Sequence, residues 1–103
     1  MPLEPVVQVH HVSSAQRTIF KFQFQIYDTI PIEMPAGARI LSCQMQFGIP
    51  SIWAIVDPNA PDRTRIIYLR GTGDVLGSAA VCPFIGTIQQ GPLVWHLFDG
   101  GEQ

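Results

Sequence analysis

In TIFKFQFQI, residues 18–26, the apolar residues Phe20, Phe22, Phe24 and Ile26 alternate with Lys21, Gln23 and Gln25. Successive side chains of an extended chain point to opposite faces, so this spacing fits a half-buried strand and does not fit a helix. TIPIEM repeats the pattern with Ile30, Ile32 and Met34 on one face. Pro31 lacks an N–H donor, which assigns that strand to a sheet edge or a bulge. RILSCQMQF follows, with Leu41, Cys43, Met45 and Phe47 expected inward and Ser42, Gln44 and Gln46 outward. SIWAIVD is apolar almost throughout and reads as a central strand.

Turn chemistry separates these runs. Pro35-Ala36-Gly37-Ala38, Gly48-Ile49-Pro50, the loop 57–62 and Gln90-Gly91-Pro92 each interrupt the alternation. RTRIIYLR, VCPFIGTIQQ and LVWHLF supply three further strands, and GTGDVLGSAA is a looser connection with room for one helical turn. Turn signals every 8–12 residues around seven strands predict an all-β single domain. The expected form is an antiparallel sandwich or a small, partly open barrel of about seven strands. It should occupy residues 17–99. Residues 1–16 read as an N-terminal arm, in which Val7, Val9 and His11 could form a short edge strand, and 100–103 as a C-terminal tail.

Composition limits the function. The chain is 47% hydrophobic and only 14% charged, against about 25% charged in average usage, so its surface is largely neutral and polar. A formal charge of -2 is wrong for nonspecific nucleic-acid binding, which needs a basic face. Five of the six cations are arginine, the residue suited to planar, bidentate bonding. Low charge with high apolar content favours self-association, so a homo-oligomer is expected. The opening MPLEPVVQVHHVSS has neither the basic segment nor the apolar run of a signal peptide, and no run approaches the roughly 18 apolar residues of a membrane span. A cytoplasmic protein with reduced Cys43 and Cys82 is expected.

Three pieces of the chain carry a resemblance: Met-Pro-Ala-Gly-Ala at 34–38, Trp-Ala-Ile-Val-Asp-Pro at 53–58, and Trp-His-Leu-Phe at 95–98. With the stretch between them, from about residue 18 to 98, the chain resembles a family of small, uncharacterised proteins of tailed phages and prophages. The resemblance implies a phage protein acting in a host bacterium's cytoplasm. It supplies no catalytic residue, and the arm lies outside it.

Chemistry is sparse. RTRIIYLRGTGD sets Arg63, Arg65 and Arg70 beside Gly71-Thr72-Gly73, yet the lysine of a phosphate loop, the third glycine of a dinucleotide fingerprint and the helix that both need are missing. Exposed amides of a glycine turn can still form an anion nest. Strand parity divides the arginines, with Arg63 and Arg65 on one face and Tyr68 and Arg70 on the other. An anion site would therefore use Tyr68 and Arg70 with Gly71, Thr72 and Gly73, or Arg65 with a neighbouring subunit. Trp53 and Trp95 fit core or interface packing, or a stacking wall for a base. His96, between Trp95 and Leu97, is a hydrogen-bonded strand histidine or a ligand contact. His10-His11 would point to opposite faces of a strand, and no metal-ligand spacing occurs, so no metal or cofactor is expected. No Ser, Asp or Glu sits in a catalytic motif. The outward Ser42, Gln44 and Gln46, with Gln23, Gln25 and Gln89, suit a hydrogen-bonded interface with a protein or a nucleobase.

These features point to a non-enzymatic binding protein, a counter-defence or host-modulating factor that takes a small anionic ligand such as a nucleotide signal. The alternatives are a protein–protein inhibitor of a host defence component and a structural accessory protein of the virion.

Overall fold

A computed structural model describes residues 16–103. Seven strands form two antiparallel sheets: β1 (Thr18–Gln23), β2 (Thr29–Pro35), β3 (Arg39–Gln46), β4 (Ile49–Val56), β5 (Asp62–Gly71), β6 (Phe84–Gln90) and β7 (Leu93–Glu102). One sheet has the order β1-β4-β3 and the other β2-β5-β7-β6. The fold is an all-β sandwich and not a closed barrel. A 3₁₀ helix, Gly77–Val81, links β5 to β6. The expected arm, with its Val7–Val9–His11 strand, His10-His11, Ser13 and Ser14, lies outside the described residues except for Gln16.

The core lies between the sheets and follows the alternation. Phe24, Ile30, Ile32, Met34, Cys43, Ile52, Ala54, Val56, Ile67, Leu69, Ile88 and Leu97 are all buried. Pro31 sits on β2, which is an edge strand, and SIWAIVD supplies β4 at the centre of its sheet. The sheets touch most closely where β3 faces β6. A methyl group added to Gly86 would come within 2.9 Å of the Cys43 sulfur. The absence of a side chain at Gly86 therefore sets that spacing.

Four sequence expectations need correction. Leu41 is not inward: a bulge between Ile40 and Ser42 turns it out and leaves Ile40 to continue the buried row. Phe47 is 95% exposed. With Gln46 paired to Ile49, Phe47 and Gly48 form a two-residue hairpin turn with φ of 51° and 77°. Positive φ at both positions matches the twist of the flanking strands, and that requirement overrides the period of two. The first strand stops at Gln23, although Phe24 is still buried and its N–H donates to the Pro50 carbonyl at 3.1 Å. Residues 100–103 are not a tail. Gly100–Glu102 complete β7, and the Gln103 N–H donates to the Thr64 carbonyl at 2.9 Å.

Candidate functional site

Parity on β5 sends Tyr68 and Arg70 to the outer face of the four-stranded sheet, where Phe98 and His96 are their partners on β7. The Arg70 guanidinium lies 5.4 Å from the Tyr68 ring centre. Its Nε donates to the Leu76 carbonyl at 2.9 Å, and Nη1 donates to the Asp28 and Leu69 carbonyls at 2.8 and 3.0 Å. Arg70 thus braces the β1–β2 connection against the connection that follows β5. The Gly71 N–H donates to Asp74 Oδ2 at 2.7 Å, and Asp74 N–H returns a bond to the Gly71 carbonyl at 3.0 Å. The amide at the start of the Gly71-Thr72-Gly73 turn therefore already holds a carboxylate of its own chain. His96 is fixed at both ring nitrogens, 2.9 Å from Thr72 Oγ1 and 3.0 Å from Thr87 Oγ1.

The remaining residues singled out in the sequence lie elsewhere. Arg65 is almost covered, at 12% side-chain exposure. Its Nε and Nη2 donate in parallel to Asp99 at 2.8 and 2.7 Å, and Nη1 donates to the Ala38 carbonyl at 2.9 Å and lies 3.8 Å from Glu102. Three of its five N–H donors are thus used within the chain. The Asp99 carboxyl is held below the usual carboxylate range, chiefly by the Arg65 hydrogen bond, which outweighs the effect of burial; the Gly101 N–H adds to the lowering. Trp95 packs against the core, with Nε1 donating to Gln90 Oε1 at 3.2 Å. Tyr68, Arg70, Thr72 and His96 therefore share a face; Trp95 meets Gly71, Thr72 and Asp74 at a separate open cleft of about 390 Å³, Arg65 lies apart from both, and Trp53 belongs to the other sheet.

The outer face of that other sheet brings together what the sequence keeps apart. Core-facing Ile52, Ala54 and Val56 leave Ser51, Trp53 and Ile55 of β4 pointing outward. Across β4, Ile55 has Ile19 of β1 and Arg39 of β3 as neighbours, Trp53 has Lys21 and Ser42, and Ser51 has Gln23 and Gln44. Arg17, two residues before Ile19, has the same parity. Arg17, Lys21 and Arg39 are half of the chain's six cations, and no carboxylate occupies an outward position on these three strands. The nearest acid along β4, Asp57, is past the strand end, where Oδ1 accepts the Asn59 N–H at 2.9 Å. Lys21 Nζ donates to Gln46 Oε1 at 2.8 Å. By register this bond crosses β4 over Ser51, whose relative exposure is 0%.

At one end of this face Arg17, Thr18, Ile19, Arg39 and Ile55 line an open cleft of about 350 Å³. Among the described residues neither Arg17 nor Arg39 makes an ion pair or a side-chain hydrogen bond. Neither arginine stands in a motif of the sequence. Arg17 has the parity of Lys21 along the chain, but the neighbouring place of Arg39 depends on the strand order β1-β4-β3, which no local pattern encodes.

A family model described as a domain of unknown function (DUF7352) matches residues 15–103. The chain belongs to this family. The DUF7352 match spans all seven strands and so both outer faces. No curated protein and no solved structure matches the chain. Among the described residues of this DUF7352 domain, no group of three His, Cys, Asp or Glu side chains could hold a metal ion, and no helix is long and apolar enough to cross a membrane. Chemically, the outer face of the three-stranded sheet offers guanidinium and ammonium donors, neutral amides and one indole. That set can bind an anion and a flat ring. It contains no nucleophile paired with a base.

Proposed function

We propose that this domain is a non-enzymatic binding module that holds a small anionic ligand on the outer face of the β1-β4-β3 sheet. One observation carries the reading: Arg17 and Arg39, without side-chain partners among the described residues, share with Trp53 and Lys21 a face without carboxylates, whereas Arg65, Arg70 and the Gly71 amide are bonded within the chain. A cationic face on a chain of net charge -2 favours small anions over a long polyanion, because the rest of the surface repels the latter. The motifs at 34–38, 53–58 and 95–98, which resemble those of tailed-phage and prophage proteins, support a setting in a host bacterium's cytoplasm. There, sequestering a small anionic signal would act as counter-defence or host modulation.

A thermal-shift screen of small anions against neutral analogues tests this. A ligand present at a hundredfold excess over Kd stabilises the native state by about 2.7 kcal/mol, worth several degrees of Tm in a domain of this size. At least one anionic class should raise Tm, and Trp53→Ala should reduce the rise. A flat screen across all anions would contradict the reading.

A second reading, a protein partner, is favoured by the opposite face. Phe84 is 60% exposed and packs edge-on against Phe98 at 5.6 Å on the outer face of the four-stranded sheet. Light scattering on wild type and Phe84→Ser would distinguish a second copy of the chain, whose loss would lower the molecular mass, from a monomer whose patch serves another protein.

A further inference from the structure

We infer that Arg17 and Arg39 form an oxyanion subsite for the phosphate of a nucleoside phosphate, with Trp53 as the stacking surface for its base. This rests on the reading of the β1-β4-β3 face given above and names the ligand class. Ile19 and Arg39 flank the same residue, Ile55, so their strands are two strand spacings apart, about 9.6 Å. Arg17, just before β1, and Arg39, the first residue of β3, line one cleft from the two strands that flank β4. A planar carboxylate satisfies one such fork face to face, whereas a tetrahedral phosphate presents oxygens to both.

The floor between the arginines is apolar. Ile55 is half-buried and Ile19 is 55% exposed. The side chains of Ile19 and Ile55 give a ribose something to lie on. Trp53 follows on the same face at an interval of two residues along β4, about 6.8 Å, a step of the size of a sugar. Trp53 is half-buried, with Lys21 and Ser42 as its neighbours across the sheet. Base–aromatic stacking is tolerant of base identity. Discrimination among bases would then fall to the hydroxyl of Ser42 and the amide of Gln44 on β3.

The test is isothermal titration of the full chain with three probes, namely a nucleoside monophosphate, the corresponding nucleoside and inorganic phosphate. Wild type, Arg17→Ala, Arg39→Ala, Trp53→Ala and Arg63→Ala are compared, the last removing an exposed cation from the other sheet. The monophosphate should bind more tightly than either fragment. Arg17→Ala and Arg39→Ala should each weaken it about tenfold, the loss of one charge-assisted bond. Arg63→Ala should leave it unchanged, and Trp53→Ala should weaken the nucleoside while leaving inorganic phosphate unaffected. Undiminished binding to both arginine variants would overturn the subsite. If Trp53→Ala still weakened binding in that case, the broader reading of the face would stand. An absence of heat with every probe, together with a flat anion screen, would remove both. Tighter binding of a 5′-phosphorylated single-stranded oligonucleotide than of the mononucleotide would overturn the small-ligand assignment in favour of a nucleic-acid end.

Discussion

Arg65 and Asp99 meet in two parallel hydrogen bonds of 2.8 and 2.7 Å, linking β5 to β7 at the margin of the core with both side chains largely covered. Breaking such a pair leaves one charge without a partner in a desolvated site. Arg65→Ala should therefore cost about 3 kcal/mol, read as a lowered urea midpoint. Arg65→Lys should recover only part of this, because an ammonium cannot form the parallel pair.

The same pair sets an acid limit. The Asp99 carboxyl is depressed in the folded state, first by Arg65 and then by the Gly101 N–H. Its stabilisation is therefore complete above the unfolded value near 3.9 and is lost as pH falls through the lower folded value. Thermal melts from pH 6 to pH 2 should show wild type losing more stability below about pH 4 than Asp99→Asn, which starts lower. Parallel curves would show that Asp99 does not contribute.

Gly86 and Cys43 set the spacing between β3 and β6. A methyl group on Gly86 would lie 2.9 Å from the sulfur, and overpacking of this kind costs about 1–3 kcal/mol. Gly86→Ala should be destabilised by that amount. Gly86→Ala with Cys43→Ala should regain part of it, giving a non-zero coupling in a double-mutant cycle.

Burial raises the Cys43 thiol to about 11. At pH 8 almost none of it is thiolate, and its access is blocked. Alkylation followed by mass spectrometry should label Cys82, which is half-exposed, before Cys43. Equal labelling would mean that the core opens at β3.

Phe47 holds positive φ while packing against little, being 95% exposed. Asparagine tolerates this conformation at the first central position of such a turn. Phe47→Asn should therefore raise stability by about 1 kcal/mol, the cost of a left-handed residue with a bulky side chain. An unchanged or lowered midpoint would mean that the phenyl ring makes compensating contacts.

Much of this fold was legible in the sequence because local chemistry specifies it. The period of two marked Ile30, Ile32 and Met34 as core, Pro31 marked an edge, and the parity of RTRIIYLR divided Arg63 and Arg65 from Tyr68 and Arg70. Phe47 and Leu41 escaped because a hairpin turn and a bulge break the period without leaving any trace in composition. The candidate site was less legible for another reason. Whether Arg65 is available or already bonded depends on Asp99, 34 residues away, and whether Arg17 has Arg39 beside it depends on which strand lies between them. Both are facts of sheet order. Of the residues the sequence offered for an anion site only Trp53 lies on the β1-β4-β3 face, where it joins Gln23, Ser42, Gln44 and Gln46 of the polar ladder.

Amide-resolved NMR during titration with a nucleoside monophosphate tests the central claim most directly. The account predicts that the resonances of Ile19, Lys21, Arg39, Trp53 and Ile55, with the Trp53 indole N–H, move in a saturable way while those of Arg70–Asp74 and His96 stay still. Saturable shifts at Arg70–Asp74 and His96, with β1, β3 and β4 unmoved, would contradict it.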